Sequence, residues 1–273
     1  MEMKGMMGGL YKLSEWIMRL SVTNVLWVIC SLPFMLLLFV HFIGAASGSL
    51  PEDQASDFLK QGFIFAGIVA PFTFFPATAA MFGVARKWVM GEVDAPLIKT
   101  FFRNYKESYL QSMIAGIIYV ILFAVMIVDF QVYGGELSEF KFVSYLFIAL
   151  LVLLVISLFN FFSMVVHYHM KTFQLIKNAL FITIGRPFRS LSTAILCGTV
   201  LYISFSSMKL MFLIPFFSGS IIAIIAFWNF YGVYMKLQMQ AEKAAAAEAE
   251  EARKEAEELG LPLDSEQDQH SRK

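Results

Sequence analysis

The chain has 273 residues, of which 58% are hydrophobic and 16% aromatic, with 21 basic residues set against 21 acidic ones. That apolar content excludes ordinary soluble packing. The formal charge of zero hides a polarised distribution, and the basic residues lie within a few positions of apolar runs, which favours a lipid surface over nucleic acid as their partner.

Six apolar stretches follow in order, each near the roughly 20 residues that a helix needs to cross a ~30 Å hydrocarbon core. The N-terminus carries Lys4, Lys12 and Arg19, with Leu10, Leu13, Trp16, Ile17 and Leu20 at helical spacing. The first predicted span, Ser21–Phe42, is longer than the apolar core of a signal peptide, so it reads as an anchor. An acidic outer loop, Ile43–Gln61, follows with Glu52, Asp53, Asp57 and Lys60. The second span is Gly62–Val84, and its exit is basic: Arg86, Lys87, Lys99, Arg103 and Lys106. There, Leu97, Ile98, Phe101, Phe102, Tyr105 and Tyr109 form an apolar stripe behind Asp94 and Pro96, which start a helix.

The third span, Leu110–Val128, and the fourth, Phe142–Val166, flank an outer turn, Asp129–Lys141, with Gly134, Gly135, Glu136 and Glu139. Lys171, Lys177, Arg186 and Arg189 then surround a second stripe, Phe173, Ile176, Leu180 and Ile184. Spans five and six, Leu191–Leu210 and Met211–Met235, are separated only by a short turn with Ser206, Ser207 and Lys209. After Met235 the composition shifts to Ala, Glu, Lys and Arg, strong helix formers. Gly260 and Pro262 should end that helix.

Basic residues therefore alternate from side to side, which places both termini in the cytoplasm of a cell membrane. The expected architecture is all-α and polytopic: six spans within 1–236, a helical extension over 237–260 and a disordered tail over 261–273. The stripes at 10–20, 97–109 and 173–184 read as interfacial helices, apolar face down. Their candidate headgroup contacts are Lys12, Arg19, Arg86, Lys87, Lys99, Arg103, Lys106, Lys171, Lys177, Arg186 and Arg189. The order of helix, span, turn and span then recurs as three parallel hairpin repeats.

Catalytic chemistry is not indicated. The sequence has no phosphate-binding glycine loop and no zinc-protease helix, and the spans carry no Lys, Arg or Glu at their centres to couple to an ion gradient. His167 and His169 point about 200° apart on a helix, too far to share one metal. Cys30 and Cys197 sit in apolar runs and read as small hydrophobes. No cofactor or metal is expected. What remains is a set of local irregularities. Pro33, Pro71 and Pro76 each remove a backbone donor inside a span. Ser157, Asn160 and Ser163 lie nearly on one face of the fourth span, either as interhelical hydrogen bonds or as a polar path.

Asn24-Val25-Leu26-Trp27 before Leu32-Pro33, and Phe75-Pro76-Ala77-Thr78-Ala79-Ala80 before a basic segment, set a pattern. Thr100-Phe101-Phe102-Arg103-Asn104-Tyr105-Lys106 and the run from His169-Met170-Lys171 to Asn178-Ala179-Leu180 complete it. Together they resemble the YesL-like bacterial integral membrane proteins, a domain-of-unknown-function family, over Gly8 to Lys236. The resemblance implies a multi-pass fold and an association with carbohydrate ABC transporters and their sensors, and it supplies no catalytic residues. The expectation is a non-enzymatic accessory partner of a sugar-uptake permease or membrane sensor kinase. The alternative is a small facilitator or channel for a neutral solute. The sequence leaves the oligomeric state open.

Overall fold

A computed structural model describes residues 6–136 and 141–258, with side chains from 8 to 135 and from 142 to 254. The described residues are helical, without strands: α1 (Met6–Cys30), α2 (Leu32–Ala46), α3 (Glu52–Val69), α4 (Phe74–Val89), α5 (Leu97–Gln131), α6 (Lys141–Val165), α7 (Thr172–Gly185), α8 (Pro187–Phe205) and α9 (Gly219–Glu258). A π-type turn, Val132–Glu136, extends α5, and another, Ile214–Ser218, leads into α9. Among these residues, five helices are long and apolar enough to cross a membrane: Gly8–Cys30, Leu97–Gly135, Phe142–Val165, Pro187–Phe205 and Ile214–Lys254. The α3–α4 pair, bent by 63°, makes a sixth if it is one broken span. The chain is a helical membrane protein.

It divides into two units, Met1–Phe230 and Tyr231–Lys273. In the second unit, Tyr231 and Tyr234 stack at 5.9 Å between ring centres. The side chains of 235–254 are exposed, and Lys254 pairs with Glu250 at 2.8 Å.

The first unit is organised around α4, which is buried without interruption from Phe75 to Ala85. Small residues make this central position feasible. A Cβ on Gly83 would collide with Asn104 of α5, so the two backbones meet there only because position 83 lacks a side chain. Phe75 and Phe82 each sit 5.5 Å from the ring of Phe162 on α6. The pattern on α5 is the reverse of a soluble helix. Thr100, Asn104, Ser108 and Ser112, four apart, are buried with Phe101, Ala115, Gly116 and Tyr119. Ile98, Phe102, Leu110, Ile117 and Ile121 are exposed. Lipid is as apolar as leucine, so helices in it associate largely through small and polar residues and leave many of their large apolar ones outside.

Several sequence expectations change. The stripes at 10–20 and 97–109 are not separate interfacial helices, because each runs unbroken into the next apolar segment within α1 and α5. At 35 residues, α5 is about 52 Å long, well over a ~30 Å core. The stripe at 173–184 does form a separate helix, but its buried face is Leu175, Ile176, Ala179 and Thr183, while Phe173 and Ile184 are exposed. The expected loop Ile43–Gln61 is largely helix, interrupted between Ala46 and Glu52 by a turn in which Gly48 takes a φ of +67°. The predicted fifth span starts earlier, at Pro187, where proline suits the first helical turn. Glu139, Gly260, Pro262 and the 261–273 tail lie outside the described residues, as does Lys4.

Candidate functional site

The three prolines have different outcomes. Pro71 ends α3 and is buried at the bend. Pro76 does not break anything. It falls in the first turn of α4, where a missing N–H has no intrahelical partner to lose. Pro33 is the second residue of α2, after a break at Ser31 (φ −100°, ψ 13°).

These breaks lie side by side. Phe34 of α2 and Phe74 at the start of α4 are 4.7 Å apart, and Trp27 of α1 meets Phe74 at 5.8 Å. One turn further along α4, Trp27 Nε1 donates to Thr78 Oγ1 at 3.0 Å. Each break carries a hydroxyl that returns to a carbonyl of the preceding turn. Ser31 Oγ donates to Trp27 O at 2.6 Å, and Thr73 Oγ1 to Val69 O at 3.2 Å. Tyr109 Oη of α5 donates to Phe72 O at 3.2 Å. A Cβ on Gly116 would come within 2.9 Å of Pro71 Cα, so α5 presses on the bend at a point where only glycine fits.

The three polar residues of α6 are all buried, and each has a different partner. Ser157 Oγ shares a 2.9 Å hydrogen bond with Tyr119 Oη of α5. Asn160 Nδ2 donates to Thr183 Oγ1 of α7 at 2.9 Å, and Ser163 Oγ to its own helix at Phe159 O, 3.0 Å. The cavity beside them, about 300 Å³ between α5, α6 and α8, is lined by apolar groups including Phe123, Val155, Phe159 and Ala194, and by none of the three. Further polar bonds of this kind join other helices. Ser204 and Ser218 share a hydrogen bond at 2.7 Å. Asn24, fully buried in α1, donates to Ile214 O at 2.8 Å and accepts from Ser220 N at 2.9 Å. Asn24, Tyr119 and Thr183 are not among the polar candidates that the sequence singles out. The available signal was an asparagine inside an apolar run, which lipid tolerates only with partners.

The basic residues sort by burial. Lys12, Lys99, Arg103, Lys106, Lys171 and Lys177 are exposed, the last lying 5.5 Å from the Phe181 ring centre. Arg86, Lys87, Arg186 and Arg189 are half-buried. Lys87 pairs with Glu92, which holds that carboxyl below its ordinary pKa. Arg189 Nη1 donates to Asn229 Oδ1 at 3.4 Å. Arg19 departs from the expected headgroup role. It is 8% exposed, binds Glu15 and Val93 O, and lies 3.7 Å from Asp94. Its charge pins α1 to the α4–α5 connection. His167, just past α6, sits edge-on to Tyr168 at 4.9 Å and near Phe227 and Phe230. Burial, and to a lesser degree the Arg86 charge, hold its pKa below the ordinary value.

The family model described as "Protein of unknown function, DUF624" matches residues 20–130, which include both breaks and most of α5. The uncharacterized protein YesL of Bacillus subtilis (strain 168) is 30% identical over 249 residues, covering 88% of this chain and 96% of YesL. The chain belongs to this family. The uncharacterized protein YteU of the same organism is 26% identical over 238 residues, covering 87% of this chain and 90% of YteU. YesV is 28% identical over 170 residues, 62% of this chain and 80% of its own length. No solved structure matches the chain.

Proposed function

We propose that this DUF624 protein is a non-enzymatic accessory or regulatory partner of a bacterial carbohydrate-uptake system. In this reading it sits in the cell membrane with six spans, the α3–α4 pair counting as one, and with both termini cytoplasmic. The observation that carries the accessory role is the use of the interior polar groups. Tyr119–Ser157, Asn160–Thr183, Asn24–Ser220 and Ser204–Ser218 bond one another across helices, so they fasten a bundle rather than line a water-filled path. The choice of a sugar ABC permease or membrane sensor kinase as partner rests on the company the YesL-like family keeps. The exposed Lys12, Lys99, Arg103, Lys106, Lys171 and Lys177 suit an anionic inner leaflet, where each basic residue near the surface contributes about 1 kcal/mol. The three-hairpin repeat belongs to the same reading, with Pro33 and Pro187 opening the second helical piece of the first and third units.

Cross-linking in native membranes at endogenous expression, then mild-detergent capture and mass spectrometry, tests this. Recovery of a sugar permease or membrane sensor is expected. Loss of that recovery on deleting 237–273 would assign the contact to the helical extension, and survival would assign it to the spans. Recovery of the protein alone, together with solute flux in reconstituted vesicles, would replace the reading with a neutral-solute facilitator.

A further inference from the structure

We propose that the α2–α3 hairpin turns as a single body about the paired breaks at Ser31 and at Ala70–Thr73, with the approach of Gly67 on α3 to Val120 on α5 as the contact that opens.

The first argument is the placement of the breaks. Two successive membrane segments depart from helical dihedral angles at one level, at Ser31 (φ −100°, ψ 13°), where the backbone bonds from Ser31 N to Trp27 O and from Met35 N to Ser31 O persist, and at Thr73 (φ −124°, ψ −56°). The touching rings of Phe34 and Phe74 show that the levels coincide. A single broken span can only bend, and its neighbour resists. Two adjacent breaks give a common axis.

The second argument is chemical. A break in a membrane interior exposes backbone groups that lipid cannot satisfy. Here the carbonyls of Trp27 and Val69 accept backbone N–H groups from Ser31 and Phe72 and, in addition, the hydroxyls of Ser31 and Thr73, while Tyr109 Oη donates to Phe72 O. Hydroxyl back-bonding of this kind also bends helices. Both breaks are therefore hydrogen-bonded features of the chain, at which the dihedral angles already differ from those of a regular helix.

The third argument is the contrast in packing on either side. Beyond the breaks the hairpin holds itself together. The His41 ring stacks on Phe58 at 4.5 Å and 27°, and Gly62 and Gly44 leave room for the His41 and Phe58 rings. Outward it is almost unattached. None of the residues of α2 is buried, and α3 buries only Gly62, which faces His41, and Ala66. Its closest approach to α5 at a glycine is Gly67, where a Cβ would stand 3.6 Å from Val120 Cγ1, ordinary contact rather than interlock. On the other side of the same breaks, α4 is buried from Phe75 to Ala85. The chain passes from a self-contained arm to the centre of the bundle within four residues, Ala70 to Thr73.

The arm is long enough for such a turn to matter. At 18 residues, α3 reaches about 27 Å, so a rotation of about 10° displaces its far end by about 5 Å. That end carries the exposed acidic residues Glu52, Asp53 and Asp57.

Distances between spin labels on the full chain in lipid vesicles test the hinge. Val40, Phe63 and Val128, all more than half exposed, are replaced in pairs by a ketone-bearing amino acid that takes the label. Cysteine chemistry is then reserved for a lock, Gly67→Cys with Val120→Cys, in a Cys30→Ala, Cys197→Ala background. The pair within the hairpin, 40–63, should give a narrow distribution. The pair across the breaks, 40–128, should be at least twice as wide, and should narrow to the width of the internal pair when the lock is oxidised. A 40–128 distribution as narrow as that of 40–63 without the lock would overturn the proposal. So would a broad one that the closed lock leaves unchanged.

Discussion

The side-chain amide of Asn24 in α1 accepts a hydrogen bond from the backbone N–H of Ser220, 196 residues later, at 2.9 Å, while its NH₂ group donates to Ile214 O at 2.8 Å. One buried side chain therefore supplies a donor and an acceptor to the π-type turn around Pro215, where regular helical bonding is disturbed. A Cβ on Gly219 would stand 2.8 Å from Asn24 Oδ1, so the glycine gives the amide its access. Asn24→Leu keeps the volume and removes both bonds, leaving an N–H and a C=O buried without partners. The expected loss is about 2–6 kcal/mol, from about 1–3 kcal/mol for each of the two unsatisfied buried groups, read as reduced stability to thermal unfolding in detergent. An unchanged midpoint would show that the turn satisfies itself.

Tyr119 and Ser157 are both fully buried and share one hydrogen bond between α5 and α6. As interhelical fastening, the bond should couple by about 0.6 kcal/mol, the typical value for such pairs in a membrane protein. A double-mutant cycle of Tyr119→Phe and Ser157→Ala, measured by unfolding, isolates that coupling. Neither variant should raise solute leakage from vesicles. Strict additivity in the cycle would remove the pair from the set of interhelical fasteners.

The membrane class was legible because the apolar runs are long and lipid imposes their length. The positions of the helix ends were not. Hydropathy reports which residues prefer lipid, and Ile43–Gln61 reads as a loop because it is polar, although Glu52–Gln61 satisfies its backbone as helix beyond the apolar segment. Pro71 and Pro76 look alike in sequence and differ only in where a helix restarts: after Pro71 the ladder is already broken, so Pro76 costs nothing further. On α5 the apolar stripe reads from sequence as the face that seeks an apolar environment. The packed face takes only Phe101 from that stripe and is otherwise Thr100, Asn104, Ser108 and Ser112, a four-residue spacing that is outweighed when apolarity alone marks what is buried. The partners of Ser157 and Asn160 lie on other helices, at Tyr119 and Thr183, and only the packing of the bundle brings them together.

The close approach of α4 and α5 makes a sharp prediction about glycines. A Cβ at position 83 would overlap the Cβ and amide of Asn104, a buried residue whose Nδ2 is held by Thr100 O at 2.7 Å. Asn104 has no free direction in which to retreat. Gly83→Leu should destabilise by about 1–3 kcal/mol or more through overpacking and reduce the folded yield from membranes. Gly198→Leu is the matched control, since nothing lies within 4 Å of its Cβ position. It should leave yield and unfolding midpoint unchanged or slightly raised, since leucine favours a helix more than glycine does, and equal loss in both would show that the added bulk at a membrane helix, not the contact with Asn104, is being read.

Acid should weaken the fold through His167. Its folded-state pKa lies below the ordinary 6.5, first because burial disfavours the charged ring and second because of the Arg86 charge. Arg86 Nε is itself buried without a hydrogen-bond partner among the described residues. Above about pH 6.5 the histidine is neutral in both folded and unfolded chains and has no effect on the balance. As the pH falls below 6.5 the unfolded chain takes up the proton first, so it binds more protons than the folded one and stability decreases with falling pH. The decrease continues to the folded pKa and then levels off. Unfolding midpoints measured from pH 7.5 to 5 should therefore drop more for the wild type than for His167→Gln, which cannot titrate. Parallel profiles for the two proteins would mean that the ring near Phe227 and Phe230 is as free to protonate in the fold as in water.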